Sequence, residues 1–266
     1  MHKQIRLFTT FLKADLQSYL EYRLGSLIWI VNGAIGPILA LFIWLVISSQ
    51  TNLALSSSQL VTYFFLSILV TRLTQVWTLE QMGDLIKSGE ISNMFLKPYN
   101  YIVENLSEQI GQKASRLMAL IPVLLLLGLI LKSNLNFQYP LWRIALFLVS
   151  LVLGFTVIFI LEHTLALLAF WIDEIHGIAR IHSTLGGLFS GTAIPLVFMP
   201  GALKSIMKIY PARFTASFPL EILVTNQNSA EILWGFIICL SEIGIFYILY
   251  RKIFKLAVRK YSAVGR

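Results

Sequence analysis

Three histidines and two carboxylates fall close together in the chain: His163, His176 and His182 with Asp173 and Glu174. Side chains of these types bind transition metals or carry protons. Their spacing does not build a metal site. No His-Glu-x-x-His is present, and the intervening 177–181 sets His176 and His182 on different faces of a helix. Ser190 is the best-placed nucleophile, but Gly187-Leu188-Phe189-Ser190-Gly191 is not G-x-S-x-G and no base is paired with it. We therefore assign no catalytic residue and no metal ligand. Glu162, His163 and Glu242 lie inside long apolar runs, where an ionisable group is costly and marks a pathway, a relay or a structural pair. They either line an inner vestibule or pair with one another or with Arg72, and pairing is the simpler reading. Gly187 and Gly191 form a G-x-x-x-G that permits close helix approach. Packing within the subunit, a dimer seam and a translocation path are all open for it.

The elements that must hold these residues follow from composition. Of 266 residues, 57% are hydrophobic and 13% charged, against about 25% charged in a soluble domain. A soluble fold of this size cannot hide so much apolar side chain. Soluble enzyme, disordered chain and disulfide scaffold are excluded together, the last also by the single Cys239. A net charge of +8 fits an anionic lipid surface rather than nucleic acid. The expected fold is an all-α integral membrane protein forming a single transmembrane domain over 1–266.

A span needs about 20 apolar residues. No charged residue occurs between Arg23 and Arg72, and Ser48–Asn52 with Ser56–Gln59 divide that run in two. The pattern predicts six spans, at about 24–48, 59–80, 114–131, 141–171, 178–198 and 230–250. Lys3, Arg6, Lys13, Arg23, Lys87, Lys97, Lys113, Arg116, Arg180 and the basic residues of 251–266 fall on one side. Only Lys132, Arg143, Lys204, Lys208 and Arg213 fall on the other. This asymmetry puts both termini in the cytoplasm, in a multi-pass protein of the plasma (inner) membrane, with no cleavable signal peptide expected.

The segments between spans are informative. In 1–22, Ile5, Phe8, Leu12, Leu16 and Tyr19 share one helical arc, with Lys3, Arg6, Lys13 and Gln17 opposite. That describes an amphipathic helix lying on the membrane surface. Segment 81–113 mixes charges with apolar residues and is punctuated by Gly89 and Lys97–Pro98, which reads as two short cytoplasmic helices with a break. Segment 200–229 holds Pro200, Pro211 and Pro219 but too many apolar residues for a solvated loop. Short re-entrant helices in the outer leaflet are expected there.

This organisation resembles the ABC-2 family of ABC-transporter permeases over nearly the whole chain. The most specific match is the run Gly83-Asp84-Leu85-Ile86-Lys87-Ser88-Gly89-Glu90-Ile91-Ser92-Asn93-Met94-Phe95-Leu96-Lys97-Pro98. It is similar to that family's stretch after span two, where a Gly-acidic-hydrophobic turn is followed by an apolar run and Lys-Pro. The resemblance implies that the segment is a coupling helix seated on an ATP-binding subunit, through Asp84, Leu85, Ile86, Lys87, Gly89, Glu90 and Ile91. It implies two copies of that subunit, carrying ATP and Mg²⁺, and a second permease, identical or paralogous. This chain binds no cofactor itself. It has no G-x-x-x-x-G-K-[ST], so it is not an enzyme by itself. The expected function is the permease of an ATP-driven exporter, forming half of the pathway. The alternative is a gradient-driven secondary transporter or channel, which predicts inverted repeats with broken helices. No such repeat is evident.

Overall fold

A computed structural model describes residues 8–10, 13, 17, 23–51, 53–96, 101–225 and 227–260. The surface helix expected over 1–22 lies almost wholly outside the described residues. The described chain is helical: α1 (Arg23–Gln50), α2 (Ser57–Thr74), α3 (Thr78–Lys87), α4 (Ile91–Leu96), α5 (Tyr101–Ile130), α6 (Leu141–Ala166), α7 (Ile175–Phe189), α8 (Gly201–Lys208), α9 (Ser217–Val224) and α10 (Ser229–Lys260). Short 3₁₀ turns cover Leu167–Phe170, Leu196–Phe198 and Pro211–Thr215.

Helix starts follow local chemistry. Ser56 and Gln59 exchange hydrogen bonds in a capping box that opens α2. Asn228 and Glu231 make the same exchange ahead of α10. Among the described residues, five helical stretches are long and apolar enough to cross a membrane: Val31–Gln50, Ser57–Lys87, Tyr101–Ile130, Leu141–Phe170 and Ser229–Lys260. α1, α5 and α10 turn outward a belt of exposed apolar side chains, among them Phe42, Ile43, Leu125, Leu129, Leu240 and Ile248. Lipid is the solvent that tolerates such a surface.

The span expected over 178–198 needs correction. Its helix, α7, stops at Phe189. Gly191 then adopts φ +87°, a left-handed conformation that breaks the helix, and Pro195 cannot donate to continue it. The chain goes on by a bend and the Leu196–Phe198 turn. Other boundaries also move. α2 ends at Thr74 rather than near 80, while α5 begins at Tyr101 and α10 runs on to Lys260. Hydropathy locates the part of a helix that could meet lipid, not its full hydrogen-bonded length.

Residues 200–229 form two short helices, α8 and α9; the apolar residues of α9 and of the Pro211–Thr215 turn are spent inside the protein, while Leu203, Ile206 and Ile209 on and after α8 stay exposed. Phe214, Phe218, Leu220 and Ile222 pack in the main core with Tyr63, Phe64, Leu151 and Val157. Two glycines allow this. A Cβ on Gly154 of α6 would overlap the Phe214 carbonyl oxygen, and one on Gly235 of α10 would overlap the Phe218 ring. A separate core at the α3 end of the bundle joins Leu79, Met82, Ile86 and Ile91 to Leu167, Ile175, Ala179 and Tyr250.

Candidate functional site

The chain breaks between α2 and α3, at Gln75–Val76–Trp77. A break inside a bundle leaves carbonyls at one helix end and N–H groups at the other without partners. Trp77, at the N-cap of α3, supplies no side-chain cap. The cap comes instead from α6: one Glu162 carboxylate oxygen accepts from the N–H groups of Thr78 (2.7 Å) and Leu79 (3.1 Å). On the other side of the break, the Lys113 ammonium of α5 donates to the Gln75 carbonyl. An anion therefore sits at the positive start of α3 and a cation just past the negative end of α2. The hydroxyl of Thr78 donates to Asn105 Oδ1 of α5 at 2.7 Å. Two helices, α5 and α6, thus clamp the junction between α2 and α3.

Beside the junction is a cavity of about 360 Å³ between α1, α2, α6 and α7, lined in part by Arg72, Gln75, Glu80, Glu162, His182 and Thr192. His182 Nε2 lies 3.7 Å from the second Glu162 oxygen. The Arg72 guanidinium donates to Gln75 Oε1 (3.2 Å) and rests against Gly33 of α1, where a Cβ would overlap it. On its α1 side the cavity is formed by Asn32, Gly33, Gly36 and Pro37. It contains no nucleophile–base pair, and no group of three or more potential metal ligands occurs among the described residues.

The three intramembrane ionisable residues separate. Glu162 lines the cavity and holds the junction. His163 points elsewhere, buried among Phe159, Tyr101 and Tyr250 with ring centroids 4.2, 6.2 and 6.3 Å away. Its Nδ1–H donates to the Phe159 carbonyl at 2.7 Å, so the tautomer is fixed. Glu242, buried on α10, has one carboxylate oxygen without a hydrogen-bond partner among the described residues, and it does not line this cavity. Glu162 does pair, but with backbone N–H groups and His182 rather than with Glu242.

Of the residues expected on the coupling segment, Asp84, Lys87 and Glu90 are exposed and Leu85 is half-buried. Ile86 and Ile91 are not available to a partner. Both are buried in the core that joins α3 to α7 and α10. Gly89 follows the end of α3 at φ +77°, the left-handed residue that closes a helix C-terminus. A cleft of about 480 Å³ runs beside this segment, lined by Asp84, Leu85, Glu90, Tyr101, Glu104 and Glu108. His176 Nε2 lies 3.1 Å from Asp84 on the surface.

The two glycines of the G-x-x-x-G do different things. Gly187 lines the cavity, with nothing within 4 Å of where its Cβ would be. Gly191 makes the turn after α7, its carbonyl accepting from the Tyr63 hydroxyl (3.0 Å) and its Cα close against Ser217. Thr78, Asn105 and Lys113 were not singled out by the sequence. Their signal was the polar series Asn105, Gln109 and Gln112, which recurs at i, i+4 and i+7 along α5 and is buried throughout.

A family model described as ABC-2 family transporter protein matches residues 34–265. No protein with a curated description matches the chain.

Proposed function

The chain belongs to the ABC-2 transporter family, whose members are multi-pass membrane permeases of ABC transporters, and from that premise we propose that it is the permease of an ATP-driven exporter in the plasma membrane. Two ATP-binding subunits, carrying ATP and Mg²⁺, bind at the α3 end, which is cytoplasmic along with both termini. A second permease, identical or paralogous, completes the pathway, and α7 near Gly187 contributes to the seam between the two.

The observation that carries this reading is the clamped α2–α3 junction. α3 is short, exposed at Asp84 and Lys87 with Glu90 just beyond its end, and fastened at its first turn to α6 and α5. A push on α3 from an ATP-binding subunit therefore reaches Glu162 and the cavity directly. Sequence reasoning gave Ile86 and Ile91 to the partner's groove, but their burial makes them the inner anchor of the coupling segment. The docking face is then Leu85 with Asp84, Lys87 and Glu90, beside a cleft whose carboxylates match a basic partner surface.

Leu85→Asp tests this. An apolar interface anchor contributes more than rim charges, whose exposed pairs are worth roughly 0–1 kcal/mol. Leu85→Asp should abolish copurification of the ATP-binding subunit or uncouple ATP hydrolysis from transport, and Lys87→Ala should change little. Full binding and transport in Leu85→Asp would remove this segment as the coupling element.

A further inference from the structure

At the opposite end of the bundle, a cavity of about 530 Å³ lies between the α1–α2 loop, α8, the Pro211–Thr215 turn and the start of α10. Arg213 is part of its wall and only 3% exposed. Its guanidinium donates to Glu221 (2.9 Å) and to the Lys208 carbonyl (3.2 Å), while its buried Nε–H has no acceptor among the described residues. Glu221 accepts also from the Ser217 hydroxyl and from Gln227 Nε2 at 2.8 Å. The Arg213–Glu221 pair is thus a fixed neutral unit whose Nε–H is left over. A buried donor without a partner calls for an explanation, and a ligand is one.

Two further cations line the same space. Lys204 and Lys208 stand one turn apart on α8, hence on one face, and no ion pair engages either among the described residues. Glu231, the remaining carboxylate of the wall, is engaged in capping α10. Leu55, Leu196, Val197, Trp234 and Ile238 add an apolar wall. Gln227 adds a side-chain oxygen with no donor among the described residues.

We propose that this cavity binds an amphiphile with a phosphate headgroup, the headgroup held by Lys204, Lys208 and the Arg213 corner and the apolar chain laid along Leu196, Trp234 and Ile238. Paired ammonium groups beside a guanidinium suit a compact oxyanion. The apolar wall excludes inorganic phosphate as the preferred occupant. The ligand is either a bilayer phospholipid or an exported phosphate-bearing lipid, and the headgroup chemistry is the same for both. The site stands apart from the transport reading, because binding needs neither ATP nor the ATP-binding subunit.

The test titrates the purified chain in dodecyl maltoside with dodecyl phosphate and, separately, with inorganic phosphate, reading binding by native mass spectrometry. Dodecyl phosphate should bind at least tenfold more tightly than inorganic phosphate. The double variant Lys204→Ala/Lys208→Ala should weaken it at least tenfold with an unchanged melting temperature, and Lys204→Arg/Lys208→Arg should retain it. Equal affinity in the alanine pair and the parent, or no preference for the chain-bearing phosphate, overturns the proposal. Repeating the titration in phosphatidylcholine nanodiscs with and without phosphatidylglycerol separates the sources. Competition by phosphatidylglycerol supports the site with bilayer lipid as occupant, and retained binding supports it with an exported lipid.

Discussion

Glu162→Ala should loosen the α2–α3 junction more than any other single truncation near the cavity. It removes the acceptor for two N–H groups, on Thr78, which is fully buried, and on Leu79, which is 3% exposed. A buried donor left unpaired costs about 1–3 kcal/mol, so the two together cost roughly 2–6 kcal/mol. Losing the negative charge at the start of α3 adds about 0.3–1 kcal/mol. Relief from desolvating the carboxylate acts in the opposite direction, which brings the expected net to about 3 kcal/mol. Glu162→Gln keeps an amide oxygen in the same place and loses only the charge, so about 1 kcal/mol is expected. The assay is native-state hydrogen exchange of the Thr78 and Leu79 amides, which reads local opening rather than global unfolding. Since about 1.4 kcal/mol is tenfold, exchange should speed by about a hundredfold in the alanine variant and by less than tenfold in the glutamine variant. ATP hydrolysed per molecule transported should rise in the same order. Unchanged exchange at both amides in Glu162→Ala would show that Glu162 does not hold α3, and the coupling route through it would fall.

Gly154→Ala forces a methyl group into the Phe214 carbonyl, where both backbones are committed to the core. Overpacking of this kind costs about 1–3 kcal/mol, seen as a lower melting temperature in detergent; an unchanged melt would mean that α6 and the Pro211–Thr215 turn are further apart. A Cβ at Gly187 meets nothing within 4 Å, so the melt of Gly187→Leu should stay near the parent's while the assembled permease pair dissociates more readily on size-exclusion chromatography. Unaltered assembly would take α7 out of the seam.

Membrane character and the approximate place of five helices were legible because lipid-facing side chains leave a hydropathy signal. Phe42, Leu125 and Leu240 are apolar for that reason alone. The same logic failed where a helix faces protein. The first turns of α5 carry Asn105, Gln109 and Gln112 into the interior, so hydropathy placed the start of that helix well after Tyr101. It failed again at 178–198, a largely apolar run in which the backbone break at Gly191 leaves no hydropathy signal. Gly89 was legible as a break, since only glycine takes a positive φ there without strain. Ile86 and Ile91 were legible as buried anchors, but not what they are buried against. An apolar stripe on a short helix reads the same whether it meets its own subunit or a partner.

The Glu162 cap could not have been read from the chain at all. It joins two segments far apart in sequence through backbone N–H groups, which carry no side-chain signature. What the sequence offered was a carboxylate in an apolar run, and two explanations, vestibule charge or structural pair. The structure merges them. Glu162 uses one oxygen for the helix end and turns the other toward His182 and the cavity. In the proposed cycle, this arrangement lets one side chain hold the coupling helix and sense the occupied pathway. Displacing α3 withdraws the N–H groups that fix the carboxylate, and the freed charge changes the polarity of the cavity wall beside Arg72 and Gln75. Lys113 answers from the other side of the break through the Gln75 carbonyl. In the proposed cycle the junction thereby converts a small movement of a surface helix into a change of electrostatics in the cavity. That conversion requires the break between α2 and α3: a continuous helix would leave no free N–H groups for Glu162 to hold.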